Sequence, residues 1–365
     1  MSAYYVGLDV HSRESVFAIA RAEGAPVAHG RIPTTPDGFR ELQTVHGLPP
    51  GTPVALETGT LAFYAARELA RLQFAPVVID AREVRLKVRR PRQKTDRGDA
   101  WELCDGLRRG FYRCLVHVPN ATMAALRETI SRRRHFRRLQ AAEINAAKHL
   151  LRAAGLTPLS RNLRSPLGWQ KLLLAVPRGT ALHTYLAEHQ ALWVAARTHV
   201  ATLERLLTHQ RADVAEAARQ LETIPGVGPI VALTVIGAFA DVARFPSAKH
   251  IASYAGLVPA MYQSGDCDRR GHITKQGPAE LRAMLCQAAQ HAARASHPLH
   301  PVYAKVCARR GHKRALIAVA HKLCRIAFAL LRDHTDFDPA KAGIEEGVFQ
   351  RTVTHRYRLA ARHGH

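Results

Sequence analysis

Residues 4–10 read YYVGLDV, a short apolar run that contains one acidic residue near its end, Asp9. The same arrangement recurs at residues 54–58, VALET, where Glu57 follows a second apolar run. Short apolar runs alternate with amphipathic stretches in this part of the chain, which predicts a mixed β-sheet covered by helices. The predicted strands cover residues 4–10, 15–20, 27–32, 54–57 and 77–79, and the predicted helices cover residues 38–46 and 61–72. We expect Asp9 and Glu57 to lie at one edge of this sheet.

The segment KTDRGDA, residues 94–100, adds two more carboxylates. Thr95 is a suitable N-cap for a helix that carries Asp96 and Asp99 on one face, because residues three apart share a face. The helix dipole also favours acidic residues in the first turn of any surface helix, which is the simpler interpretation of this pair taken alone. Together with the two strand-end carboxylates, however, the pair favours a site for a hard metal cation, which takes oxygen ligands.

The 365-residue chain is long enough for two or three domains and is strongly basic, with 53 Lys and Arg against 29 Asp and Glu and a formal net charge of +24. Such a balance predicts a nucleic-acid partner, with a merely solvated basic surface as the alternative. The six cysteines form no CxxC pair and no cluster with zinc-ligand spacing, so we expect free thiols and a cytoplasmic location. No apolar run approaches membrane-spanning length, and we expect a soluble protein without a membrane partner.

Basic side chains concentrate in three places, each suited to contacts with backbone phosphates. The candidates are Arg89, Arg90, Arg92 and Lys94 before the acidic pair, Arg132, Arg133, Arg134, Arg137 and Arg138 in a predicted helix, and Arg269, Arg270 and Lys275 in a glycine-rich segment. For the helical group, a solvated charged face is the alternative. Aromatic residues make up 6% of the chain, and no basic run alternates with them, so base stacking is not expected to dominate recognition.

Residues 120–222 are predicted to be almost wholly helical, with one break near residues 155–168. In the second helix, apolar residues recur every seven positions, a spacing typical of a coiled coil. They are Leu186, Trp193, Val200, Leu207, Val214 and Leu221. His189 and Gln210 interrupt the companion stripe. The seam could pack against the preceding helix of the same chain or against a second subunit, and the sequence does not decide between these arrangements.

Residues 224–236, IPGVGPIVALTVI, place Gly226 and Gly228 ahead of an apolar helix. This Gly-x-Gly turn predicts a helix–hairpin–helix element, whose backbone N–H groups can bind a phosphate at the helix N-terminus. A second segment, YQSGDCDRRGHITKQG at residues 262–277, is expected to form a polar, basic loop. It contains Ser264, whose hydroxyl needs activation before it can act as a nucleophile. Taken alone, an ordinary loop serine is the simpler interpretation.

The order of these motifs resembles that of the transposases of the insertion-sequence 110/1111 class, relatives of the Piv-type DNA invertases. The most specific segments are KTDRGDA and GLVPAMYQSG…GHITKQG, and the resemblance extends over residues 4–330. It implies an α/β plus α architecture with an RNase H-like (RuvC-like) N-terminal domain, a helical coiled-coil middle, and a mainly α C-terminal transposase domain that contains the helix–hairpin–helix element. The corresponding domains are residues 1–118, 119–222 and 223–332, followed by a basic tail at 333–365.

The resemblance also implies the residues of the site. The catalytic acidic tetrad, which would bind Mg²⁺ or Mn²⁺, corresponds to Asp9, Glu57, Asp96 and Asp99. The catalytic serine corresponds to Ser264. Family members often show two adjacent serines before the glycine, whereas this chain has Gln263 at the first of these positions. The implied partners are donor and target DNA, further copies of the chain in a dimer or tetramer, and, in some members, a structured guide RNA.

Three functions follow from these observations. In the one we favour, Ser264 attacks a phosphodiester and strands are exchanged through a phosphoserine link, with the acids and the serine meeting across subunits. In the second, the protein is a metal-dependent nuclease or Holliday-junction resolvase, in which water attacks the phosphate. In the third, it binds RNA or DNA without catalysis and its acids are structural.

Overall fold

The computed structural model describes residues 3–87, 95–264 and 267–340, and for Lys87 and residues 261–270 it describes the backbone only. The chain divides into two units, Met1–Pro119 and Asn120–His365. Within the described residues, no helix combines the length and the apolar character that crossing a membrane requires.

The first unit is an α/β fold built on one five-stranded sheet. Its elements are β1 (Tyr4–Val10), β2 (Glu14–Arg21), β3 (Pro26–Pro33), α1 (Pro36–Thr44), β4 (Pro53–Glu57), α2 (Ala62–Arg71), β5 (Ala75–Ile79), α3 (Ala81–Lys87) and α4 (Asp96–Arg108). The strand order is β3-β2-β1-β4-β5, in which β3, β2 and β1 pair antiparallel and β1, β4 and β5 pair parallel. The predicted mixed sheet is confirmed, and each of the predicted elements lies within two residues of its expected bounds.

Successive residues of the central strands serve opposite faces of this sheet. Leu8 of β1 and Leu56 of β4 are fully buried in a core that also contains apolar residues of α1 and α2. Asp9 and Glu57 each come one residue later, so the alternation directs them to the other face. That face is covered by α4, whose buried residues pack against β1 and β2. The fold therefore places both strand-end carboxylates on the side of the sheet that carries α4.

Helix α4 lies directly on β1, and Gly7 makes this approach possible. A Cβ atom at residue 7 would lie 2.0 Å from the Ala100 carbonyl oxygen and 2.4 Å from the Cys104 backbone nitrogen. Both distances are far inside van der Waals contact, so only glycine fits at this position. The Cys104 thiol donates to the Tyr5 carbonyl oxygen at 3.3 Å. Burial raises the pKa of this thiol to about 11, so the thiol keeps its proton at neutral pH and the hydrogen bond persists.

Gly7→Ala should therefore destabilise the first unit. The added methyl group meets backbone atoms, so α4 must shift or the sheet must deform, at a cost of about 1–3 kcal/mol. Gly59→Ala is the matched control, since a Cβ atom there meets nothing within 4 Å. When urea unfolding is monitored by circular dichroism, the urea concentration at the midpoint of the first unit's transition should be lower for Gly7→Ala than for Gly59→Ala. Equal midpoints would contradict the close contact of α4 with β1.

The second unit is mainly helical. Its helices and strands are α5 (Ala121–Ala153), α6 (Pro166–Ala175), α7 (Ala181–Gln210), α8 (Ala215–Glu222), α9 (Pro229–Phe239), α10 (Ala248–Tyr254), β6 (Pro259–Ser264), β7 (Cys267–Ile273), α11 (Ala279–Ala289), α12 (His300–Arg310) and α13 (His312–Asp333). Short 3₁₀ segments lie at Thr157–Ser160, Ala212–Val214 and Gln290–Ala293. A large buried cluster joins α8, α9, α10, α11 and α13 to one end of α5 and of α7.

Helices α5 and α7 form an antiparallel pair within the chain. Arg133 of α5 pairs with Glu204 of α7 at 2.6 Å, and farther along α5 Glu143 pairs with His189 at 2.7 Å. His189, which interrupts the apolar stripe in the sequence, thus has a carboxylate partner across the pair. The seven-residue seam of α7 supplies the buried residues Leu186, Trp193, Val200 and Leu207. The first of the two arrangements left open by the sequence, packing within the chain, is therefore the one observed in a single subunit.

The seven-residue repeat also predicts one helix that continues through Leu221, and this prediction is wrong. Helix α7 ends at Gln210, and α8 begins only after a 3₁₀ turn. Val214 has φ −134° and ψ 28°, which lies outside the helical region. An ion pair between Arg211 and Glu222, at 3.1 Å, spans the break. The repeat gave no sign of the break because the seven-residue interval continues across it.

The segment expected to be a polar loop, residues 262–277, is instead largely an antiparallel β-hairpin. Strands β6 and β7 pair in a register that sets Tyr262 opposite Arg269 and Ser264 opposite Cys267. The ladder satisfies backbone N–H and C=O groups that a loop would leave to water, and the glycine and charge content concealed this pairing. Ser264 is the last residue of β6, so it lies at the end of the hairpin.

Candidate functional site

The first unit brings two of the predicted acids to one place, together with a histidine. Asp9 Oδ2 lies 3.1 Å from His11 Nε2, and Asp96 Oδ1 lies 3.7 Å from the same nitrogen. Ligand atoms of the three residues all lie within 4.8 Å of one another, close enough to share one cation. The Asp9 side chain is 21% exposed and the other two are 48% exposed, so the cluster is open to an ion from solvent. Two carboxylates and an imidazole fit a divalent cation.

Glu57 lies beside this cluster on the neighbouring strand. Leu8 and Leu56 are Cα partners across the parallel β1–β4 pair, so Asp9 and Glu57 are the next residues along the two strands. Among the described residues, the group whose ligand atoms lie within 4.8 Å of one another does not include Glu57. The sheet register therefore sets Glu57 next to the site without bringing its carboxylate into that group.

The remaining acid, Asp99, is in the first turn of α4. Thr95 caps this helix, because its hydroxyl accepts a hydrogen bond from the Gly98 N–H at 3.1 Å, which confirms the predicted cap. Asp99 lies one turn after Asp96 on the same helix. Like Glu57, it is not part of the close group in the described chain. The four predicted acids thus share one region of the fold, and two of them reach ligand distance.

His11 is the member of the cluster that the sequence analysis did not single out. Its backbone is anchored, since the Thr34 hydroxyl donates to the His11 carbonyl oxygen at 2.9 Å and lies 2.8 Å from the hydroxyl of buried Ser15. The available signal was the two-residue spacing from Asp9, which places two side chains on one face of an extended chain. This spacing is common, and the chain contains 21 histidines, so the signal was too weak to select His11.

Metal binding tests the cluster directly. Asp9→Asn or Asp96→Asn should weaken Mn²⁺ binding by at least about tenfold, because each removes a charged oxygen ligand. His11→Ala should weaken Mn²⁺ binding more than Mg²⁺ binding, since Mg²⁺ has little preference for nitrogen ligands. Asp105→Asn is the matched control, because Asp105 lies on α4 but pairs with Arg108 and Arg109 at the end of that helix. Isothermal titration calorimetry measures the metal affinity of all four variants. Equal Mn²⁺ affinities for the three aspartate variants would rule out the site.

The second unit contains a cleft of about 790 Å³ that combines two of the predicted phosphate-binding features. One wall is the arginine-rich face of α5, and another is the Gly-x-Gly turn with the start of α9. Its charged and histidine residues are Arg133, Arg134, Arg137, Arg138, Glu280, His291, Arg294 and His297. We call this feature the arginine cleft. Arg132, from the same predicted group, does not line the cleft and pairs with Glu128 at 2.6 Å on an exposed face of α5.

The Gly-x-Gly turn is held by a buried histidine. The Leu299 N–H donates to His297 Nδ1 at 3.0 Å, so the ring proton is on Nε2, which donates to the Pro225 carbonyl oxygen at 3.0 Å. Gly226 has φ +86°, a conformation that favours glycine. The turn joins α8 to α9, as the predicted helix–hairpin–helix arrangement requires, with Gly228 as the residue before the first turn of α9.

The other predicted nucleic-acid contacts are only partly described. Arg89, Arg90, Arg92 and Lys94 lie outside the described residues. Arg269 and Arg270 lie on β7, where the description is limited to the backbone, and the same holds for Ser264 on β6. Lys275 is exposed just after β7, with φ +55°. The acids belong to the first unit and Ser264 to the second.

A carboxylate cluster that fits a divalent cation and an arginine-lined cleft, in a chain of net charge +24, are the combination expected of a protein that processes nucleic acid. Comparison with known proteins agrees. A model of DEDD-type transposases of IS110 elements matches residues 6–155, and a model described as the IS116/IS110/IS902 transposase family matches residues 218–304. The chain belongs to this family of insertion-sequence transposases.

Individual relatives are similar either over a shorter part of the chain or over most of the chain at lower identity. The pilin gene-inverting protein of Moraxella bovis is 36% identical over 121 residues, which are 32% of this chain and 38% of that protein. The transposase for insertion sequence element IS1111A of Coxiella burnetii is 31% identical over 120 residues, 32% of this chain and 33% of that protein. A putative transposase of Sinorhizobium fredii, y4pF/y4sB, is 25% identical over 308 residues, 83% of this chain and 78% of that protein. The match thus spans little more than a third of the first of these relatives.

Proposed function

We propose that this protein is the DNA transposase and site-specific recombinase of an insertion sequence, and that it exchanges strands through a phosphoserine intermediate. The observation that carries the proposal is the cluster of Asp9, His11 and Asp96, in a chain that the DEDD-type transposase model matches over residues 6–155. A protein that only binds nucleic acid has no need of a cation-binding cluster open to solvent, so this cluster favours catalysis.

The architecture of the first unit supports the same proposal. A sheet of order β3-β2-β1-β4-β5, antiparallel on one side of β1 and parallel on the other, is compatible with the RNase H-like fold that the resemblance implies. Asp9 on β1, Glu57 at the end of β4, and Asp96 and Asp99 on α4 are then the proposed acidic tetrad. We include His11 as a further group at this site because of its 3.1 Å contact with Asp9.

The proposed chemistry uses the acidic tetrad to hold a metal ion and Ser264 as the nucleophile. A bound Mg²⁺ or Mn²⁺ would stabilise charge on the attacking and leaving oxygens. The proposed ligands Asp9, Glu57, Asp96 and Asp99 would hold this cation beside the scissile phosphate. Ser264 Oγ gives up its proton to a base and bonds to phosphorus, while the bond to the 3′ oxygen breaks and this oxygen takes up a proton as a 3′-hydroxyl. The 3′-hydroxyl then attacks the phosphoserine of the partner strand, which re-forms a phosphodiester and restores Ser264.

The position of Ser264 is suited to this role. It is the last residue of β6, at the end of a two-stranded hairpin, and it pairs with Cys267 of β7. A serine held by a strand ladder is better positioned than one in an irregular loop, because the ladder fixes its backbone. Gln263 replaces the first serine that many family members have, so Ser264 is the proposed nucleophile of this motif.

The proposed partners are donor and target DNA, a structured guide RNA, and further copies of the chain, in the cytoplasm. The basic surface, with its net charge of +24, supports nucleic-acid binding in general. The guide RNA and the dimer or tetramer rest on the family resemblance. Exposed apolar residues on α7, Leu192 and Leu206 among them, are compatible with contacts between subunits.

The alternative function is that of a metal-dependent nuclease or Holliday-junction resolvase with water as the nucleophile. One observation favours it: the cluster of Asp9, His11 and Asp96 lies wholly within the first unit. Hydrolysis at that cluster would need no nucleophile from the second unit.

A covalent adduct distinguishes the two functions. Protein incubated with Mg²⁺, RNA transcribed from the element's non-coding end and labelled DNA carrying the ends of the element should give a protein–DNA band that survives denaturation in detergent. Ser264→Ala should abolish this band because it removes the oxygen that forms the link, whereas Ser253→Ala, at an exposed serine of α10, should leave it unchanged. Cleavage that proceeds equally in Ser264→Ala, with no adduct in any variant, would instead establish hydrolysis.

Assembly of the site across subunits is a separate part of the proposal. Asp99→Asn and Ser264→Ala should each be inactive alone, and a mixture of the two should recover part of the strand-exchange activity, because each supplies the group that the other lacks. Differently tagged chains confirm that mixed oligomers have formed. If such oligomers form and no activity returns, the acids and the serine must come from one chain.

A further inference from the structure

We propose that the arginine cleft binds the phosphodiester backbone of nucleic acid, and that Glu280 is an internal counter-ion which this backbone displaces from Arg134. The inference rests on the proposed function for the class of ligand, nucleic acid. Its location and mechanism come from the residues that line the cleft.

One wall of the cleft offers cationic groups that remain available. The side chains of Arg138 on α5 and Arg294 after α11 make no hydrogen bond or ion pair with any other described residue, and both residues line the cleft. Arg137 donates to Gln140 at 3.0 Å and keeps further N–H groups free for an anion. Arg133 contributes less, because its side chain is 16% exposed and its guanidinium pairs with Glu204 of α7. Arginine matches phosphate geometry through two parallel N–H groups, which makes this wall suited to a phosphodiester.

The opposite wall offers backbone donors. Helix α9 begins at Pro229, which has no N–H, and Gly228 before it provides no capping side chain. The first amides of the helix are those of Ile230 and Val231, both of which line the cleft, and a Cβ atom at Gly228 would meet nothing within 4 Å. Unsatisfied amides and the helix dipole favour an anion at this point. Two independent features, guanidinium groups and a helix N-terminus, therefore face the same volume.

Glu280 is the residue of the cleft that opposes an anion. Its Oε2 lies 2.7 Å from Arg134 Nε, and its side chain is 18% exposed. Burial raises the pKa of this carboxyl, although Arg134 and Arg133 act in the opposite direction. A phosphate that enters the cleft competes for Arg134 and is repelled by the carboxylate, so Glu280 lowers the affinity of the site. The carboxylate also offsets the charge of Arg134 when no nucleic acid is bound, although Glu280 Oε2 accepts no hydrogen bond from any described residue.

The chemistry of the lining indicates how the ligand is recognised. Apart from its two histidines, the cleft has no aromatic lining residue in the described chain. Bases therefore have no stacking platform there, and contacts come from charge and backbone amides. Such contacts fix the position of a nucleic acid without selecting its sequence.

Equilibrium binding in EDTA tests the cleft, because neither metal nor Ser264 chemistry operates under that condition. The probes are a fluorescein-labelled DNA duplex and a fluorescein-labelled RNA hairpin of equal length. Fluorescence anisotropy measures their binding to the full chain. Arg138→Ala and Arg294→Ala should each weaken binding about fivefold at 0.15 M salt, the value expected for one released counterion. Each should also reduce the slope of the logarithm of the binding constant against the logarithm of the salt concentration by about 1. Loss with the DNA probe, the RNA probe or both supports the cleft and identifies which nucleic acid occupies it.

Arg152→Ala is the matched control, because Arg152 lies on the same helix, is exposed and does not line the cleft. Glu280→Gln supplies a change of opposite sign, since it preserves shape, removes the carboxylate charge and should tighten binding several-fold. A variant that merely disturbed the fold would weaken binding. Tighter binding by Glu280→Gln therefore distinguishes the loss of a repulsive charge from a loss of folded structure. Melting curves by circular dichroism confirm that each variant is folded.

Two results would overturn the inference. The first is an affinity of Arg138→Ala and Arg294→Ala equal to that of Arg152→Ala. The second is weaker or unchanged binding by Glu280→Gln. Either result leaves the adduct experiment unaffected, because that experiment depends on Ser264. Conversely, cleft variants that behave as expected in a protein that forms no adduct would support the binding site and contradict the recombinase mechanism.

Discussion

The contact of α4 with β1 at Gly7 is the constraint on which the candidate acidic site depends. The backbone of α4 approaches so closely that a Cβ atom at residue 7 would lie 2.0 Å from the Ala100 carbonyl oxygen. This approach carries the first turn of α4, with its capping Thr95, to the end of β1. Asp96 then lies close to Asp9 and His11, although 87 positions separate the two acids in sequence. A larger residue at position 7 would move the helix and separate the ligands.

The two units contain clusters of opposite charge. In the first, carboxylates at a strand end and a helix start create a place where a cation offsets their mutual repulsion. In the second, guanidinium groups of α5 and the start of α9 create a place for anions, moderated by Glu280. In the proposed function nucleic acid requires both features, because its backbone needs positive groups for binding and its cleavage would need a cation beside the scissile phosphate. The excess of basic residues over acidic ones in the whole chain is consistent with this division.

Local signals made part of the fold predictable. The strands that carry Asp9 and Glu57 follow from short apolar runs, and the cap at Thr95 follows from a single residue type at a helix start. Signals of longer range were missing. The break after α7 keeps the seven-residue interval, so periodicity cannot reveal it, and the β-hairpin of β6 and β7, which contains Ser264, lacks alternating apolar residues. The arginine cleft joins α5 to a turn about 90 residues away, and no pattern in the sequence specifies that pairing. His11 was missed because only the folded turn brings its ring to Asp96.

The central claim is that one divalent cation is held between the end of β1 and the first turn of α4. Diffraction from crystals grown with Mn²⁺, recorded at the manganese absorption edge, measures this most directly. We expect an anomalous peak within about 2.5 Å of carboxylate oxygens of both Asp9 and Asp96. A manganese peak bound elsewhere in the first unit, or a fully ordered site with no peak at saturating Mn²⁺, would contradict the claim.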